Sequence, residues 1–466
     1  MLFNSYIFML LFLPVVLLVW WSPWLSNRMR LAFLTLASYV FYGWWNPWFV
    51  SLLVASTFID FGLGHWIHRA THDWTRRCGL LLSITVNLGL LGFFKYWGFF
   101  AESANAIQAW AHGGSSLPVW EIILPIGISF YTFQTMSYSI DIYRRKASPT
   151  ASVWHFAAYV SLFPQLIAGP IVRYEEIDSQ LRQIPDRIDW HSFSIGVWFF
   201  VAGMVQKVLF ADTIAEKIQP LFSAPEQLQC CAAWFAMLGY SCQLYFDFAG
   251  YSNMAVGLGF MLGFCFPQNF DSPYKSANIS DFWRRWHMSL SFWLRDYVYI
   301  GLGGNRAGWW GTCRNLLIVM GLAGLWHGAG WTFVLWGLYH GVLLVIYQTH
   351  RKLNWFKIPS VIAVPMTFVA VLFGWVLFRA ENMTVFVDIS SAMLGLRGIE
   401  TDMLAAIGGI SALTVLGVLL AIVFWSPNIW QIRPRLGMAS ALTLSILLAV
   451  CILRFGQESP FLYFQF

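Results

Sequence analysis

The run Gly321-Leu322-Ala323-Gly324-Leu325-Trp326-His327-Gly328-Ala329-Gly330-Trp331 sets one histidine among glycines, alanines and bulky apolar side chains. It lies in the stretch 315–332, where His327 is the only strongly ionisable group. A second apolar stretch, 333–349, follows at once. A bilayer crossing takes about 20 apolar residues, so the pattern reads as a pair of membrane helices. The same texture extends outward over all 466 residues, of which 58% are hydrophobic and 11% charged, with a mean hydropathy of +0.60. Soluble domains carry roughly 25% charged residues, so a water-facing surface cannot be built from this composition. Soluble enzymes, fibres, disordered tails and disulfide scaffolds are excluded. The seven cysteines show no Cys-x-x-Cys spacing, and most sit within apolar runs, so neither a zinc nor a disulfide framework follows.

The net charge of +6 does not indicate nucleic acid, because the basic residues are scattered between apolar runs. Lys and Arg accumulate in cytoplasmic loops and so orient the crossings. The first 24 residues lack a basic start and a small-residue cleavage site, and read as a retained first span. Arg28 and Arg30 follow it, which puts the N-terminus outside. Spans are expected near 31–45, 47–66, 78–98, 120–141, 192–212, 232–263, 315–332, 333–349, 359–378, 404–425 and 438–455. Charge counting makes 154–171, with Pro164 and Gly169-Pro170, and the segment 279–300 enter and return on one side. Such broken pieces survive only when buried in protein or lining a cavity. The expectation is an all-α polytopic membrane protein of about twelve transmembrane helices plus re-entrant or in-plane helices, with both termini outside. No inverted internal repeat of the kind common in secondary transporters is visible.

Ionisable groups at membrane depth are costly and point to function. Within 281–297, Asp281 and Arg285 pair at i,i+4 on a helix, Arg284 and His287 share a face at i,i+3, and Ser291 follows His287 by one turn. An interfacial helix with lipid-binding arginines and a tryptophan belt gives the same pattern. The glycines around His327 let either a ligand or a neighbouring helix come close. Tyr245, Asp247 and Tyr251 interrupt a long apolar run and read as a structural polar hub. His65, His68, His72 and Asp73 have ligand-like helical spacing but no supporting ligands elsewhere, so no metal is assigned. No Gly-x-Ser-x-Gly elbow is present.

Taken together, 282–299, the Gly-Leu-Trp-His-Gly stretch ending at Gly328, Tyr245-Phe246-Asp247-Phe248-Ala249-Gly250-Tyr251-Ser252 and Leu124-Pro125-Ile126-Gly127-Ile128-Ser129-Phe130-Tyr131 resemble the membrane-bound O-acyltransferase (MBOAT) family. The likeness is nearest its bacterial branch that O-acetylates exopolysaccharides, of the alginate type. It runs from Ser38-Tyr39-Val40-Phe41-Tyr42 to Phe461-Leu462-Tyr463-Phe464-Gln465-Phe466. The resemblance implies one MBOAT membrane domain over 1–466 around a central tunnel, with a catalytic core at about 119–350 and an outer-face tail at 456–466. It also implies an essential histidine at His327 and a second polar residue at His287, forty positions earlier, where other branches carry Asn or Asp.

Acetyl transfer from a thioester to a hydroxyl requires a base and donors for the developing oxyanion. An imidazole of ordinary pKa about 6.5 suits the first task, and His327 is the expected base. Arg284, Arg285 and Arg295, with Trp286 and Trp326, are the expected donor-binding residues. The arginines would hold the phosphates of coenzyme A or an acidic carrier. The donor is an acetyl-CoA or acyl-carrier thioester used as substrate, with no bound cofactor. Tyr463 carries a hydroxyl that could relay the acetyl group to outer partners. The implied partners are periplasmic acetyltransferases and the bilayer, in a bacterial inner membrane. A transporter or flippase without acyl-transfer chemistry, and a scaffold for a synthase complex, are the competing readings.

Overall fold

The computed structural model describes residues 1–112, 117–354, 357–435, 437–455 and 462. Among the described residues the regular structure is helical, and the chain divides into two compact units, Met1–Phe200 with Met254–Pro267 and Val201–Asn253 with Gln268–Phe466. Five helices among the described residues are long and apolar enough to cross a bilayer on their own: Trp48–Arg69, Asp73–Ala111, Trp190–Ser223, Trp331–Lys352 and Ser360–Arg379. Phe8–Trp20, Gly409–Trp425 and Met438–Leu453 are shorter apolar helices.

In the first unit, a buried polar knot ties Trp48–Arg69 and Asp73–Ala111 to Ile128–Tyr143. Asp60 is fully buried; Ser83 Oγ donates to its carboxylate at 2.6 Å, and Asn87 Nδ2 reaches both of its oxygens at 3.0 and 2.9 Å. Thr135 Oγ1 donates to Asn87 Oδ1 at 2.8 Å, and Ser83 also reaches Ser139 at 2.8 Å. Every one of these groups would be costly alone in an apolar interior, and each has a partner.

The broken piece expected at 154–171 consists of two buried helices, Val153–Ser161 and Phe163–Leu166. Side chains satisfy its interrupted backbone: Ser38 Oγ accepts the Phe163 N–H at 3.1 Å, and Gln165 Nε2 donates to the Tyr159 carbonyl at 2.9 Å. Below it, His155 Nε2 lies 2.9 Å from Asp178. Partial burial alone would raise the Asp178 carboxyl, but His155 and Arg182 hold it down at about 2.

Several boundaries differ from expectation. The helix beginning at Asp73 continues to Ala111, well past the span placed at 78–98. The span placed at 120–141 becomes helical only at Ile128. Pro118 and Pro125 cannot extend a helix N-terminally, and Gly127, at φ +78°, supplies the left-handed residue from which the helix starts. Met383–Met393 forms a helix that hydropathy did not indicate. Nearby, Glu400 accepts the Cys231 and Ala232 N–H groups at 2.8 Å each, capping the start of the helix Cys230–Leu262. Partial burial works against the charged form of Glu400, yet these donors hold its carboxyl below the ordinary range.

In the second unit, Gly308–His327 and Trp331–Lys352 pack backbone against backbone. A Cβ on Gly324 would lie 2.2 Å from the Phe333 carbonyl oxygen, and one on Gly337 would lie 2.1 Å from that of Met320. The contact therefore accepts only glycine at either position. At Gly321, in contrast, the nearest atom to an added Cβ is Leu338 Cδ2 at 3.6 Å. Gly324→Ala and Gly337→Ala are each expected to destabilise the protein by about 1–3 kcal/mol or more, whereas Gly321→Ala should be neutral within the same helix. Thermal unfolding of the three detergent-purified variants checks this, and equal midpoints for all three would contradict it.

Candidate functional site

Segment 279–300 is not one helix. Ile279–Arg285 ends at Trp286, His287 adopts the left-handed conformation at φ 44° and ψ 55°, and Met288–Trp293 starts a new direction. The Asp281–Arg285 pair forms as expected, at 3.0 Å. The one-helix geometry that put Arg284 and His287 on a common face does not, because the chain changes hand at His287, whereas Ser291 does follow His287 by one turn, its N–H donating to the His287 carbonyl at 3.0 Å.

The break is organised by Asn269. Its carbonyl accepts the Met288 N–H at 2.9 Å. Its side-chain oxygen faces Ser289 N–H at 3.2 Å, Ser289 Oγ at 2.9 Å and His287 Nδ1 at 3.2 Å, while its Nδ2 donates to Ser252 Oγ at 3.1 Å. A backbone N–H can only donate, so the Ser289 amide fixes which end of the carboxamide is oxygen. That oxygen can only accept, so His287 carries its proton on Nδ1 and its lone pair on Nε2 in the neutral ring. Asn269 has no motif around it in the sequence and was not foreseen.

His327 is the last residue of Gly308–His327, where the Gly328-Ala329-Gly330 turn begins. Both rings are buried, His287 fully and His327 at 4% exposure. Their centroids lie 6.3 Å apart, close enough for one small substrate group to touch both. Trp326 packs against both, at 5.7 Å from His287 and 5.0 Å from His327. Trp336 at 5.0 Å and Phe378 at 5.3 Å complete the wall around His327, and Phe248 lies 4.7 Å from His287. Of the glycines near His327, Gly324 serves the helix contact described above, and the histidine at the end of that helix lies beside the second imidazole. A third buried imidazole, His340, packs on the far side of Trp336 at 5.1 Å. Trp336, Phe378 and His340 also carried no signal in the sequence.

The expected donor-binding residues separate. Trp286 is buried against Trp375 at 4.8 Å and Phe270 at 5.1 Å, as a core residue under the break. Arg285 is neutralised by Asp281 and faces Asp271 at 3.8 Å. Arg295 is paired with Asp296 at 2.7 Å and lies over the Phe292 ring. Arg284 is exposed and makes no ion pair among the described residues.

The three residues read as one hub also separate. Tyr245 turns to Phe270, Tyr274 and Trp286. It borders a cavity of about 280 Å³ that Gln206, Ser272 and Asn428 also line. Tyr251 is buried. Asp247 is the hub proper: Lys207 Nζ lies 2.6 Å from its carboxylate and 2.9 Å from that of Asp212. Lys207 sits in the π-helical stretch Val205–Ala211, a rare geometry that tends to mark functional positions. The other Asp247 oxygen accepts the backbone N–H of Leu462 at 3.0 Å. Tyr463 lies outside the described residues. Among the described residues no three His, Cys, Asp or Glu side chains converge as metal ligands, and His65 Nδ1 turns back to the Phe61 carbonyl at 2.9 Å.

Residues 122–387 match the family model of the membrane-bound O-acyltransferases. Over its whole length the chain is 39% identical to the whole of the probable alginate O-acetylase AlgI of Pseudomonas putida. The chain belongs to the membrane-bound O-acyltransferase family. This MBOAT chain is also 43% identical to the probable alginate O-acetylase AlgI of Pseudomonas aeruginosa, over 83% of its own length and 73% of that relative. It is 38% identical to the peptidoglycan O-acetyltransferase of Helicobacter pylori, over 86% of its length and 81% of that relative. It is therefore a multi-pass membrane enzyme, an O-acyltransferase.

The buried charges of this MBOAT unit give a directional expectation. Lys207→Met leaves two carboxylates without the cation between them, a loss of about 3–5 kcal/mol. Asp247→Asn keeps Lys207 on Asp212 and still offers an oxygen to Leu462, so it should cost less. The order of the two melting points in detergent checks the assignment.

Proposed function

We propose that the chain takes acetyl from a cytosolic thioester, acetyl-CoA or an acyl-carrier thioester, and passes it across a bacterial inner membrane for O-acetylation of an exopolysaccharide, alginate or cellulose. The relatives named for alginate and peptidoglycan O-acetylation support a glycan as the final acceptor. The observation that carries the chemistry is the buried pair of imidazoles 6.3 Å apart, one of them with its tautomer fixed by Asn269. The proposed core is about 119–350, and the proposed membrane orientation has both termini in the periplasm, from the positive-inside rule.

In this reading His327 accepts the proton of the acceptor hydroxyl as its oxygen attacks the thioester carbonyl. The tetrahedral intermediate collapses with cleavage of the C–S bond, and His327 returns the proton to the departing thiolate. A hydroxyl is thus acylated and a thiol released, with no net proton change. His287 sits across from His327 and orients the reacting group. Its lone pair on Nε2 accepts a hydrogen bond from the reacting group. The cavity beside Tyr245, with hydroxyl and carboxamide groups along an otherwise apolar wall, suits the thioester's arm. Tyr463 is the proposed acceptor hydroxyl of a first transfer, from which periplasmic acetyltransferase partners take the acetyl group. The anchoring of the neighbouring Leu462 on Asp247 supports a tail held against the enzyme.

His327→Ala is expected to lower acetyl-thioester turnover by the purified protein by about 10²–10⁴-fold or more, with normal insertion. Wild-type turnover would overturn the reading and favour a transporter. His287→Asn should keep part of the activity that His287→Ala loses. Tyr463→Phe retains the aromatic ring and removes the hydroxyl, so polysaccharide acetylation should fall while thioester hydrolysis persists. Full acetylation would eliminate the relay.

Among the arginines, Arg284→Glu should raise the donor KM and leave the acceptor response unchanged. Arg295→Glu should act more weakly, because Asp296 already neutralises that side chain. Initial rates against donor and acceptor concentration separate the two effects.

A further inference from the structure

The stretch with histidines at helical spacing lies beside a different chemistry. Three chain ends meet in the first unit: the C-terminus of Trp48–Arg69, the N-terminus of Asp73–Ala111 and the C-terminus of Ile128–Tyr143. Between them is a cavity of about 230 Å³, lined by His68, Arg76, Arg145, Ser148 and the short side chains of Ala70 and Ala147. Among the described residues no carboxylate lines it.

Arg76 is 7% exposed. One of its terminal nitrogens donates to the Tyr143 carbonyl at 2.6 Å, its guanidinium lies 5.4 Å from the centre of the Tyr143 ring, and its buried Nε has no hydrogen-bond partner. Arg145 sits in the left-handed region at φ 59°, in a turn where the Lys146 and Ala147 N–H groups both reach the Asp141 carbonyl. Neither Arg76, Arg145 nor His68 takes part in an ion pair among the described residues. A buried guanidinium that uses one of its five donors, beside a second arginine held in a strained turn, is short of an anion.

Two observations give the source of that anion. Trp66 and Trp74, each two residues in sequence from the lining residues His68 and Arg76, are 42% and 73% exposed, and exposed tryptophans at helix ends mark the headgroup level of a bilayer. Arg69, Arg77, Arg144 and Lys146 are each next in sequence to a residue that lines it, and such basic clusters at a helix end attract the anionic lipids of the cytoplasmic leaflet. We propose that this cavity binds the phosphate of an anionic phospholipid headgroup, held by the arginine fork of Arg76 with Arg145 and His68. The site is separate from the paired imidazoles, and a lipid phosphate there would fasten the ends of three helices at the membrane surface.

The test uses the full-length protein in detergent and native mass spectrometry with added phosphatidylglycerol or phosphatidylcholine. Wild type is expected to retain phosphatidylglycerol about tenfold better than phosphatidylcholine, and the double variant Arg145→Asn with His68→Gln to lose that preference. This variant leaves the Arg76–Tyr143 bond intact, and Asn tolerates the left-handed turn, so folding is preserved. Arg76→Gln serves as the stricter variant, judged only if its melting point stays normal. Equal retention of both lipids, or unchanged preference in the double variant, overturns the site. Displacement of phosphatidylglycerol by inorganic phosphate or coenzyme A at millimolar concentration overturns the lipid source in favour of a soluble phosphate ligand.

Discussion

Direct contact between two helix backbones, at Gly324 and Gly337, is the constraint on which the arrangement of the second unit depends. Lipid tails are as apolar as side chains, so membrane helices gain little from burial alone and associate through close packing. With carbonyl oxygens of Phe333 and Met320 occupying the space where side chains would stand, the two helices have one possible register. That register places His327 at the end of its helix, beside Trp336 of the partner helix and Phe378 of the next. A slip by one residue would put a side chain into the contact and move the imidazole away from His287.

Buried charge is handled in two ways. Asp60 is surrounded by hydroxyl and carboxamide donors, which satisfy its two oxygens. Asp247 is matched by a lysine, which is shared with Asp212, and lends its second oxygen to the backbone of a segment more than two hundred residues later. The first arrangement fixes three helices to one another. The second joins the helix Cys230–Leu262 to the far end of the sequence, where the chain could otherwise have stayed outside the fold.

Composition and the spacing of apolar runs were enough to read a polytopic helical membrane protein, because those properties are set by the bilayer and not by tertiary contacts. Pro164 and the pair Gly169-Pro170 marked the broken piece for the same reason. His327 was legible because it is alone in its apolar run. The surroundings of His287 were not. Helical spacing assumes one continuous hand, and the reversal at residue 287 depends on Asn269, which lies in an irregular loop without a recognisable pattern. Lys207 was hidden because a lysine near the end of an apolar run looks like a topological signal. The partner role of Gly337 was also hidden, since a lone glycine in a membrane helix is common and only its opposite backbone gives it meaning.

The left-handed backbone of His287 has a consequence for the residues this position can hold. Among residues with a side chain, Asn, Asp and His are those most often found at positive φ, because a short polar group can bond locally and offset the crowding at Cβ. They are also the three that the resemblance to the family implies for this position. In the proposed reaction the alphabet here is filtered twice, first by a turn that rejects branched and bulky side chains, and then by chemistry that calls for a polar one. Acid, amide and imidazole could exchange at such a position without rebuilding the scaffold, because the turn admits all three.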